Sequence, residues 1–348
     1  MSTSDSRFDE KIVERNRTVM VTGGTGYIGK NLVRGLLRRG FIVNLLVRED
    51  SSLSGLEGCN FFLGDINEAD SIRPALENCD FVFHLAAKVK AWSQNPEEFD
   101  RVNIQGYETL LRLCCEAGVK KVLHTSSFIV FGPSDGTPHT ENSRRRLPPF
   151  NDYDRTKTLA ENVSFKYGAE GMAITTLYPT VVYGPGELTD GNLVARLIQM
   201  FGRGLMPGLV EGGFQKWNFV HVEDVVAGHL AAMRRVAAGR YILGGEDISL
   251  RDFFALVATR LRRRPPRIKV PLRLAKFLGA VEELREKWGN HDPLMTRQTV
   301  EIFARDWTFS SEKAKKELNY RPRPLLVGLD EFIDWMSRQH LIHAHKVQ

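Results

Sequence analysis

Two residues with a spacing of four suit proton transfer at a carbonyl carbon. Tyr153 is followed by Lys157, and at that spacing the side chains are neighbours on one face of a helix. A free phenol ionises near pH ~10, so we expect the ammonium to stabilise the phenolate and lower that pKa. Ser127 ends an upstream strand, and its hydroxyl would donate to an oxygen that gains charge. The three residues predict ketone reduction or alcohol oxidation, whereas a solvated Tyr and Lys would predict no chemistry.

A glycine-rich turn lies near the start of the chain. Gly23, Gly26 and Gly29 follow the apolar run 18–22 at three-residue spacing, and apolar residues then recur at helical spacing. The first glycine allows a tight turn, the second lets backbone approach phosphates, and the third lets the helix pack closely. Free N–H groups at the helix start favour a pyrophosphate. We therefore predict a dinucleotide site rather than a surface turn, formed by Gly23, Thr25, Gly26, Tyr27, Ile28 and Gly29.

The end of the next apolar run bears on which dinucleotide binds. A chain built for NAD usually has a carboxylate there to accept from the ribose 2′-hydroxyl, but this chain has Val47 followed by Arg48. A guanidinium grips a 2′-phosphate bidentately, so NADP(H) is favoured and NAD(H) is possible. Two alternatives stay open. Glu49 or Asp50 serves a ribose if the loop folds back, or Arg48 is only a solvated charge.

Two further strand ends fit the same site. Asp65 and Ile66 follow the run 61–63, and the Asp65 carboxylate could meet an adenine amino group. Leu85, Ala86, Ala87 and Lys88 follow the run 81–85, where small side chains would let a cofactor lie close to the backbone. A well-packed strand end explains the two alanines equally well when they are taken alone.

The elements that position these residues alternate as strand and helix up to about Gly184. This alternation predicts an α/β fold with a doubly wound parallel sheet. We divide the chain into a flexible arm (1–17), a dinucleotide-binding domain (18–184, with a return segment near 215–245) and a smaller, mostly helical C-terminal substrate domain (185–340). The substrate pocket should cover the carboxyl edge of the sheet. Its expected apolar lining is Leu205, Met206, Leu209, Val210, Phe214 and Trp217.

Composition narrows the function classes. The 348 residues are enough for a substantial core, and no run approaches the ~18 apolar residues of a membrane span. Without a signal-like N-terminus we expect a cytoplasmic protein, a monomer or homodimer, with four reduced cysteines and no metal site. The net charge is +6, but no motif supports nucleic-acid binding. The basic runs 144–146 and 260–267 are expected to be solvated faces, and the histidines at 340, 343 and 345 to lie on a frayed terminus.

The segment from Pro271 to Trp288 has apolar residues at helical spacing, with basic residues among them. One interpretation is a helix that caps the substrate pocket, because most amphipathic helices pack on their own domain. The other is a helix that lies on a membrane surface and admits an apolar substrate from there. We favour the first and expect a small-molecule substrate as the main partner.

The motifs together resemble an extended short-chain dehydrogenase/reductase of the NAD-dependent epimerase/dehydratase superfamily. The matching segments are 22–29, 64–66, 84–87, 102–106, 125–127, 153–157, 178–186 and 219–224. The resemblance covers most of residues 18–260 and implies a Rossmann sheet. It also implies that Ser127, Tyr153 and Lys157 are catalytic and that Lys157 contacts the nicotinamide ribose. The backbone after Pro179, near Val182, would hold the carboxamide.

The resemblance is closest to the dihydroflavonol reductase and 3β-hydroxysteroid dehydrogenase branch, through segments 47–50 and 239–246. Sugar-nucleotide dehydratases carry an Asp-Glu pair where this chain has Ser126-Ser127. Epimerases usually carry an Arg where this chain has Lys216-Trp217-Asn218. Flavonoid reductases tend to carry an Asn a few residues after the catalytic Ser, where this chain has Phe131 and Gly132. We therefore predict an NADP(H)-dependent carbonyl reductase or alcohol dehydrogenase acting on a partly apolar small molecule. A sugar-nucleotide epimerase with tightly bound NAD is the alternative, and a non-catalytic NADP sensor ranks third.

Overall fold

The computed structural model describes residues 17–90, 93, 95–189, 191–206, 208–288 and 295–342. Residues 1–16 of the arm expected at 1–17 lie outside the described residues, as do His343 and His345. Within those ranges no helix is both long enough and apolar enough to cross a membrane.

Seven parallel strands form the large sheet, in the order β10-β6-β5-β4-β1-β2-β3. The strands of the described residues are β1 Thr18–Thr22, β2 Ile42–Val47, β3 Asn60–Leu63, β4 Cys79–His84, β5 Lys121–Thr125, β6 Ile174–Pro179, β7 Val181–Tyr183, β8 Gly208–Val210, β9 Lys216–His221, β10 Arg240–Leu243, β11 Glu246–Ser249 and β12 Ile268–Val270. The strand order reverses between β1 and β4, which creates a crevice at the carboxyl ends. The predicted doubly wound parallel sheet is confirmed.

Helices cover both faces of this sheet. The helices of the described residues are α1 Tyr27–Leu37, α2 Ala69–Leu76, α3 Glu97–Asp100, α4 Tyr107–Glu116, α5 Asp152–Ala169, α6 Leu193–Gly202, α7 Val222–Arg234, α8 Leu250–Arg260, α9 Leu272–Trp288, α10 Arg297–Phe303, α11 Glu312–Leu318 and α12 Leu325–Arg338. A π-helical segment, Arg101–Gly106, joins α3 to α4. Side chains alternate along β1, so Val19 and Val21 pack with α1 and α7. Met20 packs with α2, α4 and α5 on the other face.

The chain leaves the large sheet after β6 and returns to it at β10. β7 pairs with β9, which also pairs with β11, and β8 pairs with β12. α7 packs on α1, and β10 adds to β6. A third core cluster, with Trp217, Phe253 and Phe332 at its centre, joins the smaller sheets to the later helices. We retain the division into dinucleotide and substrate domains as a proposal.

Candidate active site

A cavity of about 640 Å³ opens at the carboxyl ends of the parallel strands. It is lined by the residues that follow β1, β2, β3, β4, β5 and β6, together with parts of α5, α6 and α10. The predicted site residues that line it are Gly23, Thr25, Gly26, Tyr27, Ile28, Gly29, Arg48, Asp65, Ile66, Leu85, Ala86, Ala87, Ser127, Tyr153, Lys157, Pro179 and Val182. The fold thus brings the glycine-rich turn and the Tyr-Lys pair to one cavity.

The glycine-rich turn has no room for a side chain at Gly23 or at Gly29. Gly23 has φ +71°, and a Cβ there would lie 2.5 Å from the Ala86 nitrogen. A Cβ on Gly29 would lie 2.1 Å from the Gly23 carbonyl oxygen. A Cβ on Gly26 would meet only the Gly23 oxygen, at 3.3 Å, and Gly26 lines the cavity. This cradle at the start of α1 suits a pyrophosphate, which takes hydrogen bonds from backbone N–H groups.

The first turns of α1 are fixed to the segment that follows β7. The hydroxyl of Tyr27 donates to the Gly184 carbonyl oxygen at 2.9 Å, and burial raises the pKa of this phenol well above its usual value. Asn31 Nδ2 donates to the Pro185 oxygen at 3.2 Å, and Lys30 pairs with Glu187. These contacts hold the phosphate cradle in place against a segment that is distant in sequence.

Arg48 lies at the rim of the cavity, directly after β2. Its side chain is 69% exposed, and Nε lies 3.3 Å from an Asp50 oxygen. Ser51 also lines the cavity, and its Oγ accepts a hydrogen bond from the Arg48 N–H at 3.2 Å. Sequence reasoning did not single out Ser51, although its position three residues after Arg48 in a turn is a usable signal. A guanidinium and a hydroxyl at this strand end suit a phosphate, while Asp50 competes for the guanidinium.

Lys88 lies outside the residues that line the cavity, which differs from the prediction. Its N–H donates to Asn103 Oδ1 at 2.7 Å, and its ammonium pairs with Glu98. The amide of Asn103 fixes this backbone, and the Glu98 carboxylate draws the side chain toward α3. The next residues, Val89 and Lys90, line the cavity instead.

The Tyr-Lys pair sits at the start of α5, which Asn151 caps through its Oδ1 and the Asp154 N–H at 2.8 Å. Burial raises the pKa of the Tyr153 phenol, and a hydrogen bond from Ser127 opposes the shift. The predicted lowering of this pKa is therefore wrong, because desolvation outweighs the Ser127 hydrogen bond and the Asp154 charge adds to the rise. Burial lowers the pKa of Lys157 to about 8. Its ammonium donates to the Thr125 carbonyl oxygen at 2.8 Å, so the helix is tied to the end of β5.

A buried ion pair fixes the same end of α5. Arg145 makes two hydrogen bonds to Asp154, at 2.6 and 2.7 Å, and donates to the Ile129 oxygen at 2.8 Å. The Asp154 side chain is fully buried, and that of Arg145 is 12% exposed. The interpretation of segment 144–146 as a solvated face is wrong for Arg145, because this guanidinium joins the segment after Ser127 to the residue next to Tyr153.

Glu161 is a buried carboxyl group that sequence reasoning missed. It lies one turn after Lys157 on α5, and it accepts hydrogen bonds from Ser126 Oγ at 3.3 Å and from the Tyr178 hydroxyl. Burial raises its pKa, and these hydrogen bonds and Arg240, at 3.8 Å, oppose the shift. The spacing of four from Lys157 is a signal that could have identified it. Its charge raises the pKa of Lys157 against the effect of burial.

The apolar wall of the cavity is not the one expected. Of the six residues predicted to line the substrate pocket, Trp217 alone does so. β8 pairs with β12, so Leu209 packs into the core, and Phe214 is 64% exposed with the Arg251 guanidinium 5.4 Å from its ring centre. The wall is formed instead by Phe128, Ile129, Val181, Leu193, Trp217, Ile302 and Phe303, with Arg196 and Thr299 as its polar members.

Comparisons with known proteins agree with this geometry. The model of the NAD dependent epimerase/dehydratase family matches residues 19–244. Sterol demethylase protein B of Methylococcus capsulatus is 29% identical over 331 residues, which cover 93% of this chain and all of that protein. The Bos taurus sterol-4-alpha-carboxylate 3-dehydrogenase, decarboxylating, is 31% identical over an alignment of 357 residues. The alignment covers 96% of this chain and 95% of that protein.

Solved structures share the fold over nearly the whole chain. The crystal structure of gox2253 is 30% identical with a TM-score of 0.79, covering 94% of this chain and 100% of that chain. MoeE5 in complex with UDP-glucuronic acid and NAD is 27% identical with a TM-score of 0.73, covering 92% of this chain and 99% of that chain.

Proposed function

The chain belongs to the NAD dependent epimerase/dehydratase family, and we propose that within it the protein is an NADP(H)-dependent oxidoreductase. The reaction we propose interconverts a ketone and a secondary alcohol on a partly apolar small molecule. One observation carries the proposal: Ser127, Tyr153 and Lys157 share a cavity with the glycine-rich turn and face an apolar wall. Similarity to proteins named as sterol dehydrogenases supports it, because a sterol is an alcohol on a large apolar skeleton.

A nicotinamide dinucleotide held by the glycine-rich turn and the strand ends that line this cavity would supply or take up the hydride. In the direction of reduction, the hydroxyl of Ser127 donates a hydrogen bond to the carbonyl oxygen as negative charge develops there. The phenol of Tyr153 then delivers its proton to that oxygen. The buried ammonium of Lys157, one helical turn away, provides positive charge when the phenol has lost its proton. The raised pKa of Tyr153 favours the protonated phenol and hence its role as an acid.

The wall of the cavity supports an apolar substrate. Phe128, Trp217 and Phe303 present aromatic surface, and Leu193 and Ile302 add aliphatic surface. Burying apolar substrate area against these side chains is favourable by about 25 cal/mol per Å². A sugar nucleotide would instead need several groups that pair with hydroxyls and phosphates, and this wall has two polar members, Arg196 and Thr299.

Arg48 and Ser51 support NADP(H) as the cofactor. Both line the cavity after β2, where a 2′-phosphate on the adenosine ribose would require a cation and a hydrogen-bond donor. Asp50 is engaged by Arg48 and does not line the cavity. This arrangement favours phosphate over a free ribose hydroxyl.

The proposal is tested by following NADPH consumption with purified protein and a panel of ketones that includes steroids. We expect turnover with apolar ketones and a higher kcat/KM for NADPH than for NADH. Failure of every ketone, and of the matching alcohols with NADP, would contradict the proposal.

A second candidate is a sugar-nucleotide epimerase, favoured by the similarity to MoeE5, which was solved with UDP-glucuronic acid and NAD. An epimerase returns the hydride to the same substrate and regenerates its cofactor within the cycle, whereas a reductase exchanges NADPH at every turnover. The protein is denatured and the released nucleotide is assayed. We expect little NAD. About one equivalent of NAD per chain would favour the epimerase.

A further inference from the structure

Helix α9 turns its large apolar side chains outward. Leu274, Phe277, Leu278, Val281 and Leu284 are 49, 64, 49, 36 and 56% exposed. At 3.6 residues per turn these positions fall within an arc of about 120° on one side of the helix. Exposed single apolar residues are ordinary, but a contiguous stripe on one helix marks an interaction site.

The opposite side of α9 carries small and polar residues and packs on the protein. Ala275 is 3% exposed. A Cβ on Gly279 would lie 2.8 Å from the Arg297 nitrogen, so the backbone of α9 is in close contact with the start of α10. The Glu283 carboxylate accepts from the Arg297 N–H at 2.7 Å. These contacts fix the rotation of α9, so the apolar stripe cannot turn inward without breaking them.

This orientation contradicts the favoured interpretation of the segment 271–288 as a helix that caps the substrate pocket. None of its described side chains lines the cavity, because α10 lies between, with Thr299, Ile302 and Phe303 on the cavity side. α9 is thus one helix removed from the cavity, and its apolar side does not cap the pocket.

Positive charge surrounds the stripe. Residues 262–285 contain eight Lys and Arg and two Asp and Glu, a net charge as large as the +6 of the whole chain. Arg263, Arg264 and Arg267 are exposed, in the segment before β12, and Arg273 is exposed on α9. The two carboxylates take part in ion pairs, Glu282 with Arg285 at 3.0 Å and Glu283 with Arg297 at 2.8 Å. Lys269 and Lys276 pair with carboxylates outside the segment, so the exposed arginines carry the positive field. The surface therefore combines apolar side chains with a positive field.

We propose that this surface, formed by α9 and the basic segment 262–267, docks on an anionic lipid membrane. An amphipathic helix with basic residues beside an apolar face lies in the plane of the membrane interface, with its apolar side chains among the acyl chains. Anionic headgroups attract the arginines. Docking through α9 would hold the cavity, one helix away, close to a lipid surface from which an apolar substrate is drawn. The binding itself does not depend on the reaction proposed above.

Charge favours a membrane over a second copy of the chain as the occupant. A two-fold dimer would place the same surface of each copy against the other. Two surfaces of like charge would then meet at short range, which opposes association. An anionic membrane instead satisfies the apolar stripe and the positive field together.

The test is co-sedimentation of the full chain with phosphatidylcholine vesicles, with and without phosphatidylglycerol, at low and high salt. We expect binding only with the anionic lipid, and loss of binding when salt shortens the Debye length from ~30 Å to a few ångströms. The variant Phe277→Glu/Leu278→Glu should bind at least about tenfold more weakly. Replacing Arg263, Arg264 and Arg267 by Gln should weaken binding by about fivefold for each arginine removed.

The matched control is Leu326→Glu/Val327→Glu on α12, because each of these side chains is 49% exposed, as Leu278 is, and the charge change is the same. The control should bind like the unaltered chain, and thermal unfolding checks that both variants remain folded. Equal losses in both variants, or no sedimentation at low salt, would overturn the proposal. Loss of a solution dimer in the α9 variant, with vesicle binding unchanged, would assign the surface to a second copy instead.

Discussion

The two halves of the cavity are built in different ways. The nucleotide half comes from residues directly after β1, β2, β3 and β4, so each is within a few residues of a strand end. The substrate half combines residues after β5 with others from α6, β9 and α10, which lie up to about half the chain away. One half is a repeated local feature of a parallel sheet, and the other is assembled by tertiary packing.

Because of this difference, substitutions in the two halves should have different effects. In the nucleotide half, backbone fills the space, as the Cβ distances at Gly23 and Gly29 show. In the substrate half, side chains such as Ile302 and Leu193 form the wall and are only partly buried. We expect substitutions in the first half to change nucleotide binding and those in the second to change substrate binding. Ser127, Tyr153 and Lys157 lie at the junction of the two halves, and the Tyr153 hydroxyl should affect the chemical step alone.

The largest expected effect is at the junction. Tyr153→Phe removes one hydroxyl and should lower kcat by about 10²–10⁴-fold, the usual contribution of a positioned general acid. Nucleotide affinity, measured by fluorescence titration, should change little. Tyr167→Phe on the same helix is the matched control, since Tyr167 does not line the cavity. Near-normal turnover of Tyr153→Phe would show that another group moves the proton.

The next effect tests the nucleotide half. Arg48→Ala should weaken NADPH binding by about one to two decades more than NADH binding, because a charge-assisted contact is worth roughly 1.5–3 kcal/mol. Arg48→Lys keeps the charge but loses the bidentate grip, so its loss should be intermediate. Arg38→Ala, at the end of α1, serves as the control for general charge. Equal losses for both nucleotides would show that Arg48 does not contact the 2′-phosphate.

The nucleotide half of the cavity could be predicted from the sequence, and most of the substrate half could not. The strand-helix alternation and the glycine spacing identified the sheet and its cradle because both depend on local periodicity. The predicted apolar wall was wrong, because Leu209 and Val210 on β8 pack against the core, whereas Leu205 and Phe214, outside β8, are exposed. Arg145 and Glu161 were missed because their roles depend on partners whose burial no local pattern reports. The same holds for the pKa of Tyr153, where desolvation outweighs the Ser127 hydrogen bond.

A smaller effect tests the substrate half. Ile302→Ala removes part of the apolar wall and should raise KM for an apolar ketone about tenfold, since the lost contact is worth roughly 1–2 kcal/mol. The KM for NADPH should be unchanged. Leu326→Ala on α12, which does not line the cavity, is the control. A parallel rise in the KM for NADPH would mean that the two halves are not separable.

The smallest expected effect concerns the Glu161 carboxylate, whose charge acts on Lys157. Burial holds the pKa of Lys157 at about 8, and the carboxylate of Glu161 raises it. Glu161→Gln should therefore move the pKa of Lys157 lower, and the alkaline limb of kcat/KM for NADPH, which reports the free protein, should move to lower pH. Glu170→Gln, just after α5, should leave the limb in place.

The same shift has a signature in stability, which separates a charge effect from a structural one. The unfolded lysine keeps its proton up to its ordinary pKa of about 10.4, whereas the folded one loses it near pH 8. Between these values the unfolded state binds more protons, so the free energy of unfolding rises with pH over this window. In Glu161→Gln the rise should begin at lower pH, because the folded pKa is lower. The pH range of this rise is measured by denaturant unfolding from pH 6 to 10 of the unaltered chain and of Glu161→Gln. Lys157→Met, which has no lysine to titrate at this position, is the reference. If the free energy of unfolding begins to rise at the same pH in the unaltered chain and in Glu161→Gln, then Glu161 does not set the charge of Lys157.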